Sequence, residues 1–256
     1  MSRKTIRVLI VDDHAIVREG YRALLAKHEG ITVVGEACDA ASAYQCYKDK
    51  QPDVVIMDIS MPGRGGIDAI KHIREFDAHA RVLVFTMHSG AAYALQAFRA
   101  GAKGYVTKSS SPDVLVDSVK AVSDDRLAIC PEIAQVLAFG RVHQERSQLE
   151  DLSPREFEIL RMILEARTTD EIASAFHVSR KTVANYHYNI KSKLGVSSDI
   201  ELLYFGLQHG ALHPLHHCSI WKNSTGGAHR PIRRPATLAI RRALDAKRLD
   251  LRRPCG

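Results

Sequence analysis

The sequence predicts two modules, a doubly wound α/β sandwich with five parallel strands and then a small all-helical one. Three observations carry this reading. Between residues 6 and 122, short β-branched apolar runs alternate five times with amphipathic stretches. Over 152–212 only helical periodicity remains. The chain has 256 residues, 45% of them apolar and 25% charged, which is enough for two cores of ordinary size.

In chain order the predicted strands are 7–11, 32–36, 53–57, 81–85 and 104–106, and the helices between them 14–27, 40–49, 66–76, 90–100 and 112–122. The runs are apolar without alternation, as expected of parallel strands covered on both faces. Right-handed crossovers then suggest the order 2-1-3-4-5. Pro52 and Pro62 bracket the third strand, Gly65-Gly66 opens the next helix, and Ser111-Pro112 supplies a cap and a first-turn proline. We take 1–123 as the first domain and 124–150 as a linker with at most one short helix near 131–138. The second domain is 151–212, with helices at 154–165, 169–176, 180–194 and 198–208, and 213–256 is a basic tail expected to be disordered.

The net charge of +7 is misleading about where a polyanion would bind. Ten Lys and Arg against two Asp give the tail +8, so the first 212 residues carry −1, and any case for nucleic acid must rest on local pattern. Cys38, Cys46, Cys130, Cys218 and Cys255 are odd in number and scattered, which reads as reduced thiols in a cytoplasmic protein. The amino-terminal apolar run is too short for a signal peptide or membrane span, and no membrane partner is expected.

In an open parallel sheet, ligands bind beyond the carboxyl ends of the strands where the strand order reverses. Asp12 and Asp13 follow strand one, Asp58 strand three, Thr86 strand four and Lys108 strand five. Strands one and three lie side by side in the expected order, so three carboxylates would crowd together and call for a cation. Oxygen ligands alone suggest Mg²⁺. Asp58 would be the phosphoryl-accepting nucleophile, Asp13 and Asp58 metal ligands, Asp12 a ligand through water, Lys108 a point charge on the phosphoryl group and Thr86 a hydroxyl donor to it.

The stretches RVLIVDDH, VVIMDISMPGRGGID, VLVFTMH and GYVTKSSSPD resemble the flavodoxin-like receiver domain of two-component response regulators over residues 6–122. The resemblance implies a sensor histidine kinase as phosphoryl donor to Asp58 and Mg²⁺ held by Asp13, Asp58 and the backbone carbonyl of Ser60. It also implies that the Thr86 hydroxyl moves toward the phosphoryl group while Tyr105 turns inward behind it.

In 169–194, Ile172, Ala173 and Phe176 form one side of a short helix, and 177–179 a tight turn with Ser179 as cap. Val183, Tyr186, Ile190 and Leu194 form the buried stripe of a second helix. Its other faces carry Arg180, Lys181, Thr182, Asn185, His187, Tyr188, Asn189, Lys191 and Lys193 without an acid, which suits the major groove of double-stranded DNA. Residues 152–212 resemble the LuxR-type helix-turn-helix domain of NarL/FixJ-class regulators. By that resemblance Ala184, Asn185 and Tyr188 read bases, Lys181, Thr182 and Lys193 lie nearer phosphates, and the last helix often dimerises. Two positions depart from the family: Tyr186 stands where His is frequent, and Ala166 where a glycine ends the first helix.

The sequence thus reads as a cytoplasmic DNA-binding transcriptional regulator, not an enzyme beyond auto-dephosphorylation, that homodimerises when Asp58 is phosphorylated. Two rival readings are a phosphorylation-independent regulator with a vestigial receiver and an aspartyl-nucleophile phosphatase. The second usually needs an acid two residues after the nucleophile, where Ser60 stands.

Overall fold

The computed structural model describes residues 5–142 except Pro62 and Arg64, and 148–211 except 210; the expectation for the tail lies outside them. Met1–Pro214 group into one compact unit by contacts and Leu215–Gly256 into another, and every element below belongs to the first. The order is β1 (Ile6–Val11), α1 (Ala15–Ala26), β2 (Ile31–Ala37), α2 (Ala40–Lys50), β3 (Val54–Met57), α3 (Gly65–Phe76), β4 (Val82–Thr86), α4 (Ala91–Ala100), β5 (Gly104–Thr107), α5 (Pro112–Ser123), β6 (Ala128–Ile129) and α6 (Pro131–Val142). After a 3₁₀ turn, Gln148–Asp151, come α7 (Pro154–Leu164), α8 (Thr169–Phe176), α9 (Arg180–Leu194) and α10 (Asp199–Gln208). No helix among the described residues is long and apolar enough to cross a membrane.

The strands are parallel throughout, in the order β2-β1-β3-β4-β5-β6. All residues of β3, β4 and β5 are buried, because helices cover both faces and leave no room for a polar side. The adjacency of β1 and β3 brings the ends of both strands, and hence Asp12 and Asp58, to one crevice.

The sheet has six strands where the sequence reading expects five. The sixth is two residues long and adds to β5 through Ala128 N–H to the Lys103 carbonyl at 3.2 Å and Cys130 N–H to the Tyr105 carbonyl at 3.0 Å. Two residues carry no periodicity, but they cover what would otherwise be an open edge. The segment expected as a linker is correspondingly structured, since α6 runs on to Val142 and buries Ile133 completely.

Helix starts in the second half follow local sequence. Ser153 with Glu156, and Thr168 with Glu171, form reciprocal capping boxes at α7 and α8, and the Ser179 side chain accepts from Thr182 N–H at α9. Ala166 occupies the left-handed region, φ 57°, where glycine is unstrained. Ala166→Gly is therefore expected to raise stability by about 1 kcal/mol, read as a higher urea midpoint at unchanged slope.

Candidate functional site

Asp12, Asp58, Thr86 and Lys108 converge at the carboxyl ends of β1, β3, β4 and β5. Asp12 and Asp58 are each 2% exposed and Thr86 is fully buried. The Lys108 ammonium donates to Asp12 Oδ2 and to Asp58 Oδ2, both at 2.6 Å. Burial works against its charge, but Asp58 and then Asp12 outweigh that and raise its pKa. Lys108 is also held by its backbone, which donates to the Thr86 carbonyl at 2.7 Å.

Around this bridge the backbone is tied by hydrogen bonds and close packing. Asp58 N–H donates to the Val11 carbonyl at 2.8 Å, and Ser60 N–H donates to Asp58 Oδ1 at 2.9 Å. A Cβ on Gly66 would run into the Asp58 carbonyl oxygen and lie 2.7 Å from Ile59 Cα, so the start of α3 packs directly on the backbone of Asp58. Only a residue without a side chain allows that approach.

Asp13 is placed differently from Asp58. Its carboxylate lies near that of Asp12 and the imidazole of His14, with His14 Nδ1 2.9 Å from Asp13 Oδ1, while Asp58 turns toward Lys108. Asp13 Oδ1 is buried and accepts no hydrogen bond. Asp12 and Asp13 lie together with His14, and Asp12 and Asp58 share one ammonium, an oxygen-rich setting that fits a hard divalent cation.

The hydroxyls of Ser60 and Thr86 are 3.2 Å apart, a contact the sequence reading missed, since it used only the backbone carbonyl of Ser60. Tyr105 is fully buried, with its hydroxyl donating to the His88 carbonyl at 2.9 Å and its pKa pushed up by that burial. The sequence reading also passed over Arg18, which donates to the Asp12 carbonyl at 2.6 Å and pairs with Glu36. No motif signals such a helix-to-loop tie.

In the second half, Val183, Ile190 and Leu194 are buried and Tyr186 partly so, as the stripe requires. Lys181, Ala184, Asn185 and Tyr188 are exposed, Tyr188 at 72%. Thr182 is half-buried, its hydroxyl 2.9 Å from that of Ser179. Several cations on α9 already have acidic neighbours. Lys193 donates to Glu156 Oε2 at 2.7 Å, Arg180 pairs with Asp170, and His187 and Lys191 lie within 3.0 and 3.1 Å of Asp199. The open part of the face is therefore centred on Lys181, Ala184, Asn185 and Tyr188.

Comparison with known proteins matches the two halves of the chain to two separate family models. Residues 8–120 match the response regulator receiver domain, and residues 150–205 match the bacterial regulatory proteins of the luxR family. Response regulator UvrY of Escherichia coli K12 is 36% identical over 207 residues, covering 80% of this chain and 95% of that protein. Response regulator GacA of Pseudomonas aeruginosa is also 36% identical over 207 residues, covering 80% and 97%. Among solved structures, RcsB of Salmonella enterica serovar Typhimurium, bound to promoter P1flhDC with the phosphomimetic BeF₃⁻, matches with TM-score 0.65 and 29% identity over 79% of this chain and 98% of that one. A two-component response regulator of the LuxR family from Aurantimonas sp. SI85-9A1 is 54% identical with TM-score 0.53, covering 54% of this chain and 99% of its own.

Proposed function

The chain belongs to the response regulators that join a receiver domain to a LuxR-type DNA-binding domain, and from that premise we propose how its residues divide the work. In the cytoplasm, a sensor histidine kinase presents a phosphohistidine to Asp58. A carboxylate oxygen of Asp58 attacks phosphorus, the P–N bond breaks, and the electron pair leaves with the imidazole, which takes up a proton. The observation that carries this is the Lys108 ammonium at 2.6 Å from the carboxylates of both Asp12 and Asp58. It already stands where charge must be neutralised.

Asp13, Asp58 and the Ser60 carbonyl would hold Mg²⁺ directly, with Asp12 acting through water; bound there, the ion supplies neutralisation of phosphoryl oxygens. Thr86 exchanges its contact with Ser60 for one to the phosphoryl group; Tyr105, expected to turn inward behind it, is already buried and so has no inward turn left to make. The Ser60 hydroxyl is engaged with Thr86 and is no acid, which disfavours the phosphatase reading. Equal operator affinity with and without acetyl phosphate would instead support a vestigial receiver.

The phosphorylated form is proposed to bind double-stranded DNA as a homodimer, on half-sites about one helical turn apart. Footprinting with acetyl phosphate and Mg²⁺ tests this, and a monomer protecting one isolated half-site would contradict it. Asn185→Ala is expected to cost about 1–3 kcal/mol on the preferred operator and little on random DNA. Lys181→Ala should weaken both alike and lower the salt slope by about one. Titrations at three salt concentrations distinguish the two effects.

A further inference from the structure

Two loops leave the phosphoacceptor crevice, one from β3 to α3 and one from β4 to α4, and α7 of the DNA-binding half grips both. On the first loop, Glu158 Oε1 accepts from the backbone N–H of Ile67 at 3.3 Å. Ile67 is the third residue of α3, and an N–H in a helix's first turn has no acceptor within its own helix. Arg161 donates to the carbonyls of Met61 and Gly63, both at 3.3 Å, and binds Glu158 at 2.8 Å and Glu165 as well. Gly65, at φ +71°, leaves room for the Glu158 carboxylate, and a Cβ there would overlap it.

On the second loop, His88 follows Thr86 by two residues and stacks on Tyr93, with ring centroids 3.9 Å apart. Tyr93 meets Phe157 of α7 edge-on at 4.9 Å and donates to the Ala211 carbonyl at 2.9 Å. One helix turn along α4, Gln96 donates to the carbonyls of Leu149 and Leu152 at 2.9 and 2.8 Å. The recognition residues Lys181, Ala184, Asn185 and Tyr188 remain exposed while this grip is closed. The grip therefore does not act by burying them.

We propose that α7 is a latch in which Glu158 caps α3 of the receiver from the DNA-binding half, so that opening the two halves exchanges a proton at Glu158 and follows loop rearrangement at Asp58. The second part rests on the phosphoacceptor reading above; the first does not. A fully buried carboxylate resists ionisation, and burial pushes Glu158 up to about 7 despite the attraction of Arg161. Among the described residues, the charged and titratable groups facing it are Arg161 and Glu165 on α7, Asp68 on α3 with His72 paired to it, and Tyr93 on α4. The sign follows from the raised value. In the open form Glu158 returns to the ordinary range near 4.5, so between about 4.5 and 7 the closed form holds more protons, and closure weakens as pH rises through that window.

The test is amide exchange of the full chain resolved at Ile67, with small-angle scattering for separation of the halves. Glu158→Ala is expected to speed exchange at Ile67 at least about tenfold and enlarge the particle, with β1, β3 and β4 unchanged. Glu158→Gln keeps an oxygen acceptor for Ile67 and holds the latch shut. Gly65→Ala attacks the same contact from the receiver side and should open it. In wild type, the closed-to-open ratio should rise roughly eightfold from pH 7.5 to 6, and Glu158→Gln should flatten this while His72→Gln does not. Unchanged protection of Ile67 in Glu158→Ala, or equal opening by Gln and Ala, overturns the cap. Beryllofluoride with Mg²⁺ should expose Ile67 in wild type. If it perturbs Thr86 and Tyr105 yet leaves Ile67 protected, the coupling is wrong; if it perturbs nothing while Glu158→Ala still opens the halves, the phosphoacceptor reading fails and the latch stands.

Discussion

Asp58→Asn is expected to reduce phosphoryl incorporation from acetyl phosphate to background and to erase the gain in operator affinity proposed for the phosphorylated wild type. Asn preserves the shape of the side chain and keeps an oxygen for Ser60 N–H, and Lys108 keeps Asp12, so the fold should survive. What is lost is the anionic oxygen that can attack phosphorus. The consequence for DNA binding is large because a ligand shifts a two-state equilibrium only through its differential interaction with the states. Moving from 1:99 to 99:1 takes about 5.5 kcal/mol, and with no phosphoryl group on Asp58 nothing supplies it. Phosphate-affinity electrophoresis and operator titration, run in parallel on wild type and variant, check both halves. Wild-type labelling of the variant would show that another residue is the acceptor.

Lys108→Met should be the most destabilising single change in the crevice. It removes the cation from between two nearly inaccessible carboxylates, with Asp13 adjacent to Asp12. Breaking a buried pair from one side costs about 3–5 kcal/mol, since the remaining carboxylates keep backbone donors but lose their counter-charge away from water. The loss should be read from urea unfolding in Mg²⁺-free buffer, and millimolar Mg²⁺ should recover much of it if the carboxylates hold the ion.

The raised pKa of Lys108 gives this interaction a pH dependence of its own. In wild type, Lys108 itself has a raised pKa, and its contribution is present below 10.5 and lost only in more alkaline solution. A wild-type stability that fell by the Lys108→Met deficit already between pH 7 and 9 would mean that these carboxylates do not hold the ammonium.

Much of the fold and of the crevice is legible in the sequence. Strands and helices are marked by local periodicity and punctuation, and α8 and α9 fall on the residues the pattern indicates. Asp12, Asp58, Thr86 and Lys108 were found because polar residues ending apolar runs must share one edge of a parallel sheet. The departure at Ala166 was also visible, and the left-handed backbone there shows that the chain keeps the turn and bears the strain. β6 and the extent of α6 were not legible, because the first is too short for a period and the second is fixed by packing against α4 and β5.

The sequence by itself determined the strand-end chemistry, the helix-turn-helix and the order of the two modules, since each is signalled by a local pattern, a polar residue ending an apolar run or a helical period with its caps. Tertiary structure alone decided that Lys108 bridges Asp12 and Asp58 rather than reaching Asp13, that Ser60 holds Thr86, and that Glu158 and Arg161 close on α3. These contacts join residues 26 to 100 positions apart. A Glu on an amphipathic helix has the same local pattern whether it faces water or the end of another helix. Only the packing of the two halves removes it from solvent, and with solvent gone its charge becomes costly and its hydrogen bond specific.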